Sequence, residues 1–211
     1  ETGVDIHSIC ADYFMEMPFT SKDYSAVETS LFYLKYLIQI ASMLKIKEIV
    51  IPCVDQSSLK STYEQDKFIE TIQDAVKLAE HLSVHLALET DLPPLEFKRL
   101  LQKCSSTAVT VNYDIGNSAA LGFQPKEELQ AYGNKITDIH IKDRKLNGSS
   151  IILGQGNANF DSFFEELLHY KYTGIFILQA YRDEDGIEVF KQQLDWISDK
   201  LDSYEKRLLK I

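Results

Sequence analysis

Polar and apolar residues alternate over Ile-Thr-Asp-Ile-His-Ile-Lys at 136–142. Ile139 and Ile141 therefore fall on one face and Asp138, His140 and Lys142 on the other, the pattern of a half-buried strand. Glu-Ile-Val-Ile-Pro at 48–52 is nearly all apolar, as in strands buried on both faces of a parallel sheet. Four more strands are predicted over 4–10, 84–89, 109–114 and 175–181. Between them the apolar positions recur at helical spacing, with Leu31, Leu34, Ile38 and Ala41 inside a helix over 26–44 and Phe68, Ile72, Ala75 and Ala79 inside one over 63–82. Helices are also predicted over 94–103, 124–132, 160–170 and 187–208.

Six strands alternating with six helices predict an α/β fold with a parallel sheet, because each connection is long enough for a right-handed crossover and too long for a hairpin. A doubly wound nucleotide-binding sheet calls for a glycine-rich turn after an early strand, and Gly154-Gln155-Gly156 comes late and lacks the third glycine. A (β/α) barrel is the better expectation, with reactive groups gathered at the C-terminal ends of several strands.

Length and composition fit one domain over residues 1–211, with 45% hydrophobic and 26% charged residues and a formal net charge of −10. That charge argues against nucleic acid or an anionic membrane as partner and leaves small molecules or other proteins. Cys10, Cys53 and Cys104 are far apart and form no Cys-x-x-Cys pair, which suggests neither a disulfide framework nor a zinc-thiolate site. On that cysteine usage a reducing cytoplasm is expected, and no run approaches the roughly 18 apolar residues of a membrane span. The chain starts at Glu1 without methionine and soon enters a strand, so it reads as a processed or truncated piece of something longer.

Four strands end on polar groups with the chemistry of metal ligands. Glu89 ends one strand and Asp114 the next, His140 lies near the end of a third and Gln179 near the end of the last, at intervals of 25, 26 and 39 residues. Each interval is about one strand-helix unit, so the four side chains converge at one mouth of a barrel. Two carboxylates, an imidazole and an amide oxygen suit a divalent ion such as manganese, magnesium, cobalt or zinc.

The stretches Leu88-Glu89-Thr90-Asp91-Leu92-Pro93, Tyr113-Asp114-Ile115-Gly116-Asn117, His140-Ile141-Lys142-Asp143-Arg144, Gly154-Gln155-Gly156 with Phe160, and Gly174-Ile175-Phe176-Ile177-Leu178-Gln179 carry a family resemblance. Over essentially the whole chain, the sequence resembles the xylose-isomerase-like sugar (phosphate) isomerases and epimerases. Within them it is most similar to the branch that processes L-ribulose-5-phosphate and hexulose-6-phosphate, where the opening Glu-Thr-Gly-Val also finds a match. The resemblance implies a TIM (β/α)8-type barrel from which the first two βα units are missing, since such barrels have eight strands and about 250 residues. Either the chain is a fragment, or another copy covers its open sheet edges in a homo-oligomer. A second departure is Gln179, where the sugar epimerases carry glutamate; glutamine offers a carbonyl oxygen but takes no proton at pH 7.

The activity implied is a metal-dependent isomerisation or epimerisation of a sugar or sugar phosphate through proton transfer and an enediolate. Glu89 is then the proton-transferring base, and Glu89, Asp114, His140 and Gln179 form the ligand set. Lys142 and Arg144 neutralise the enediolate or bind a substrate phosphate, and the backbone amides of Gly154 and Gly156 assist. Asn117 orients Asp114 or meets a sugar hydroxyl, and Arg182 reaches substrate from the last strand's exit. If Gln179 costs the site one acid-base partner, Asp91 is the substitute at hand.

Each assignment has a plainer rival. Glu89 and Asp114 also suit capping of the turns that follow them, Asn117 suits turn chemistry, and Arg182 suits a solvated surface. His85 lies four residues before Glu89 and reads as a hydrogen-bonded core residue, His7 and Asp12 as structural, and His81, His169 and Lys145 as surface. Tyr13, Phe14, Met15 and Met17 either line a sugar pocket or pack within their loop, and Asp183, Glu184 and Asp185 read as a solvated acidic loop. Two further functions compete with the isomerase: a related polyol dehydratase, and a degenerate barrel that binds sugar without turnover. An apurinic endonuclease is disfavoured, because Lys142-Asp143-Arg144-Lys145 is too short a basic cluster for a nucleic-acid groove.

Overall fold

The pairing of short apolar segments builds the sheet of this protein, seen here in a computed structural model that describes residues 3–184 and 186–210. Six parallel strands, β1 (Ser8–Cys10), β2 (Glu48–Cys53), β3 (His85–Thr90), β4 (Val109–Asp114), β5 (Ile136–Ile141) and β8 (Ile175–Leu178), follow one another in the order β1-β2-β3-β4-β5-β8. A separate antiparallel pair, β6 (Asp143–Arg144) with β7 (Ser150–Ile151), was not foreseen. Glu1, Thr2 and Asp185 lie outside the described residues, and with them the matches read at the N-terminus and part of the acidic loop.

The chain forms two compact units, one comprising residues up to Asn112 with Lys135–Thr137, the other comprising Tyr113–Asn134 and Asp138 onward. In the first, β2 runs in register with β3 from Glu48↔His85 to Cys53↔Thr90, and every residue of β2 is buried. Helix α2 (Tyr24–Leu44) buries Val27, Leu34, Ile38 and Ala41, close to the predicted stripe. Helix α3 (Thr62–Leu82) starts with a capping box in which Ser61 and Glu64 satisfy each other's backbone amides, and it buries Phe68, Ile72, Ala75 and Ala79. Helix α4 (Pro94–Cys104) leads to β4, and α1 (Tyr13–Glu16) is a short turn of helix that the sequence reading treated as loop. Within that turn Phe14 is buried against Phe19, with ring centroids 4.7 Å apart, and Tyr13 meets Tyr33 edge-on.

The first strand is shorter than the predicted 4–10. Its register begins at Ser8↔Glu48 because β2 itself begins at Glu48, and His7 is exposed.

In the second unit β5 pairs with β8 from Asp138↔Ile175 to Ile141↔Leu178. Helices α5 (Ile115–Leu121) and α6 (Pro125–Tyr132) precede β5, α7 (Phe160–Leu168) precedes β8, and α8 (Gly186–Leu208) closes the chain. The expectation of a half-buried β5 is corrected: its residues from Asp138 to Ile141 are all buried, so both faces are covered. The last strand stops at Leu178 instead of 181, although the Gln179 amide still donates to the Ile141 carbonyl at 2.9 Å. Among the described residues no helix is long and apolar enough to cross a membrane.

Candidate functional site

Glu89 sits one residue before the end of β3 and is 8% exposed. Its Oε2 accepts a hydrogen bond from Asn112 Nδ2 at 2.8 Å, which fixes the plane of the carboxylate. Toward the start of the same strand, His85 Nδ1 lies 2.7 Å from Glu48 Oε1, and Thr137 donates to Glu48 Oε2 at 2.9 Å. The hydrogen bond that His85 makes to the Glu48 carboxylate raises the His85 pKa above its ordinary 6.5. His85 is hydrogen-bonded as expected but only half-buried, not deep in the core. Asp91 is turned toward Ser58, whose hydroxyl donates to it at 2.5 Å.

Asp114 ends β4 and caps α5, an aspartate in the position where its side chain satisfies an orphan helix amide. Its Oδ1 accepts from the Asn117 amide at 2.8 Å, and its Oδ2 accepts from Lys142 Nζ at 2.9 Å. Capping, the plainer of the two roles read from sequence, is thus present, and it leaves the second oxygen facing a cation. Gly116 makes this approach feasible, because a Cβ there would lie 2.9 Å from the Lys142 carbonyl carbon. Asn117 Oδ1 accepts from Arg144 Nη1 at 2.9 Å and from Lys142 at 3.3 Å. His140 is 2% exposed, and its Nε2 is 4.0 Å from Asp138 Oδ2, two residues earlier on the same face. Glu89 in the first unit, and Asp114 and His140 in the second, each offer an atom with the chemistry of a metal ligand.

The remaining candidates divide by what already occupies them. Arg144 sends Nε and Nη2 to the Gly148 carbonyl at 3.0 and 2.7 Å, so the guanidinium braces the β6–β7 turn. The amides of Gly154 and Gly156 donate to Asp143 Oδ2 at 2.9 and 2.8 Å, and the Ala158 amide donates to Oδ1 at 3.0 Å. The expected phosphate cradle is corrected by this finding: the fold itself consumes both glycine amides. At Gly156 a Cβ would sit 2.1 Å from Asp143 Oδ1, so the close approach requires glycine. Lys142, Gln179 and Arg182 do meet, together with Ser149 and Ser150, around a cavity of about 1030 Å³ in the second unit. Arg182 is exposed, and so are Lys145, His81 and His169.

Two groups escaped the sequence reading. Asp143, 1% exposed, was seen only as part of a basic cluster, although its three amide donors organise the loop over 154–158. Glu128 on α6 is 1% exposed and accepts from Ser118 Oγ at 2.6 Å, Tyr113 Oη at 2.7 Å and Tyr132 Oη at 2.9 Å. Burial pushes its carboxyl pKa up, and the three hydroxyls pull it partly back. Since Tyr113 precedes Asp114 and Ser118 lies on the helix Asp114 caps, this cluster grips the chain on both sides of Asp114. The only sequence signal was an acidic residue four positions from Tyr132 on a short helix.

Comparison with known proteins agrees with this architecture. A family model described as xylose isomerase-like TIM barrel matches residues 1–200. The chain is 29% identical over 217 residues to a putative L-ribulose-5-phosphate 3-epimerase, SgbU, of Haemophilus influenzae, covering 96% of this chain and 76% of that protein. Among solved structures, the 3-keto-D-glucoside 4-epimerase YcjR from E. coli, in its apo form, aligns with a TM-score of 0.75 at 15% identity over 94% of this chain and 80% of that one. A xylose isomerase-like TIM barrel protein from Mycobacterium smegmatis, in complex with magnesium, aligns with a TM-score of 0.72 at 20% identity over 96% and 74% of the respective chains. At these identities the structural likeness concerns the fold.

Proposed function

The chain belongs to the xylose isomerase-like TIM barrel family, and from that premise we propose that it is a metal-dependent isomerase or epimerase of a ketose or ketose phosphate. The observation that carries this reading is the chemistry of the strand ends: Glu89, Asp114 and His140, all buried, stand at or near the ends of β3, β4 and β5. Two carboxylates and an imidazole fit a hard or borderline divalent ion, from magnesium and manganese to cobalt and zinc. Its relative in Haemophilus influenzae is named as an epimerase of a ketose phosphate, which supports the substrate class.

Glu89, Asp114 and His140 would hold the ion. When bound, such an ion polarises a substrate carbonyl and lowers the cost of the negative charge that develops beside it. Glu89, oriented by Asn112, exchanges the proton at the carbon next to the carbonyl. Lys142, between Asp114 and the cavity, supplies positive charge to the developing oxyanion. Gln179 offers its amide oxygen or nitrogen to a sugar hydroxyl and takes no part in proton transfer. That limitation favours a second reading, a barrel that binds a sugar without turnover, if Glu89 alone does not suffice.

Exchange of a ketose phosphate C–H into deuterated water, followed by NMR with magnesium, manganese, cobalt or zinc added in turn, tests the proposal. Exchange is expected with at least one ion and is expected to fall roughly 100-fold or more in Glu89→Gln, the typical worth of a positioned base. Equal exchange rates in parent and variant sink the role of Glu89; no exchange with any ion, despite bound metal, moves the non-catalytic reading ahead.

A further inference from the structure

Glu128, buried in the second unit, takes no part in the chemistry proposed above, yet it is tied to the chain on either side of Asp114. Successive residues of a strand point to opposite faces, so Tyr113 turns away from the face that carries Asp114. Its ring stacks on Phe163 of α7 with 5.4 Å between centroids, and its hydroxyl donates to Glu128 Oε2 at 2.7 Å. Four residues past Asp114, the Ser118 hydroxyl on α5 donates to Glu128 Oε1 at 2.6 Å. One carboxylate on α6 thus holds the chain immediately before Asp114 and again one helical turn after it. Tyr132, the third donor, lies on α6 with Glu128, so its bond at 2.9 Å ties that helix only to itself.

The bonds that Asp114 itself accepts, from the Asn117 amide and from Lys142, set the rotation of its carboxylate. Where its backbone stands depends on what anchors residues 113 and 118. An apolar side chain at 128 would fill the space without the cost of taking a carboxylate out of water. It would not join the two segments, because only a group with two acceptor oxygens receives both hydroxyls and the third at one point. We infer that Glu128 is a positioning residue for the metal site: by gripping Tyr113 and Ser118 it holds Asp114 in place, and it sets the affinity for a divalent ion through Asp114. The inference rests on the metal-dependent reading of the site and adds to it a residue outside the ligand set.

The test measures metal affinity on the full chain, by calorimetry with Mn²⁺ and by the visible absorption of bound Co²⁺, neither of which needs turnover. Glu128→Leu is expected to weaken Mn²⁺ binding roughly tenfold, the lower end of what losing a partner behind a metal ligand costs, and to alter the Co²⁺ band. Glu128→Gln is expected to recover most of the affinity, because its carbonyl oxygen still accepts from Ser118 and its amide donates to the Tyr113 oxygen. If Glu128→Leu does not fold, Tyr113→Phe and Ser118→Ala each remove one grip, whereas Tyr132→Phe takes a hydroxyl from the same carboxylate and leaves both grips intact. The first two should weaken Mn²⁺ binding more than the third, whatever each costs in Tm. Unchanged Mn²⁺ affinity in the variants that lose a grip, equal losses in all three hydroxyl variants, or no recovery in Glu128→Gln overturns the positioning role and leaves the metal reading standing. A parent chain that binds neither Mn²⁺ nor Co²⁺ overturns both.

Discussion

Lys142 Nζ lies 2.9 Å from Asp114 Oδ2, an ion pair in which the carboxylate side chain is 1% exposed and the lysine 20%. The cation therefore neutralises the same carboxylate that a divalent ion would use. Lys142→Met is expected to destabilise the metal-free chain by about 2 kcal/mol, somewhat less than the loss of one partner from a fully buried pair. The same substitution should cost less in the presence of a divalent ion that neutralises Asp114. Urea unfolding with and without metal measures both, and a cost that metal does not reduce counts against Asp114 as a ligand.

Asp143 draws three backbone amides onto one carboxylate, and replacing it takes their acceptor from all three at once. Asp143→Ala is expected to cost about 3 kcal/mol, since charge-assisted bonds on one group are not additive. Hydrogen exchange at residues 154, 156 and 158 should lose protection together. Gly156→Ala should produce the same local loss, because the added Cβ meets Asp143 at 2.1 Å.

Burial raises the Glu128 pKa above its ordinary 4.5. A carboxyl with a raised folded-state value contributes stability that is fully present below the unfolded value and is lost as pH rises through the folded value. Glu128→Gln cannot ionise, so its stability relative to the parent should improve as pH climbs from about 4.5 into the range of the raised pKa. Denaturant midpoints across that range decide the matter; parallel curves would show that Glu128 titrates as it does in the unfolded chain.

His85 obeys the same sign for a different reason. Its hydrogen bond to Glu48 raises its pKa above 6.5, so the pair stabilises fully below 6.5 and the contribution disappears as pH rises through the higher folded value. His85→Gln should flatten the stability profile above 6.5, by a small amount because the imidazole side chain is 40% exposed. An unchanged profile would mean that the pair carries no net linkage.

Much of the site was legible because strand ends reduce a three-dimensional problem to a spacing. Glu89, Asp114 and His140 stand at or near the ends of β3, β4 and β5, and the metal-like set follows from those positions. Gln179, Lys142 and Arg182 were marked for the same reason and border one cavity. The β6–β7 pair was not legible, since two-residue strands carry no periodicity, and neither was α5, whose seven residues show no helical stripe. Arg144, Gly154 and Gly156 looked like phosphate ligands because donors and glycines look alike in sequence whether a substrate or the fold takes up their hydrogen bonds.

By itself the sequence determined the alternation of strands and helices, the capping of α3 by Ser61 and Glu64, and the order in which the polar strand ends occur, because short-range sterics and local hydrogen bonds encode all three. Only the tertiary structure decided which acceptor each donor meets. Asp143 rather than a ligand takes the amides of Gly154 and Gly156, Glu128 is buried under three hydroxyls, and Arg182 is left free beside a cavity without carboxylates. Apart from Tyr132, four residues from Glu128, those partners lie 10 or more residues apart along the chain, and packing, not periodicity, brings them within hydrogen-bonding distance.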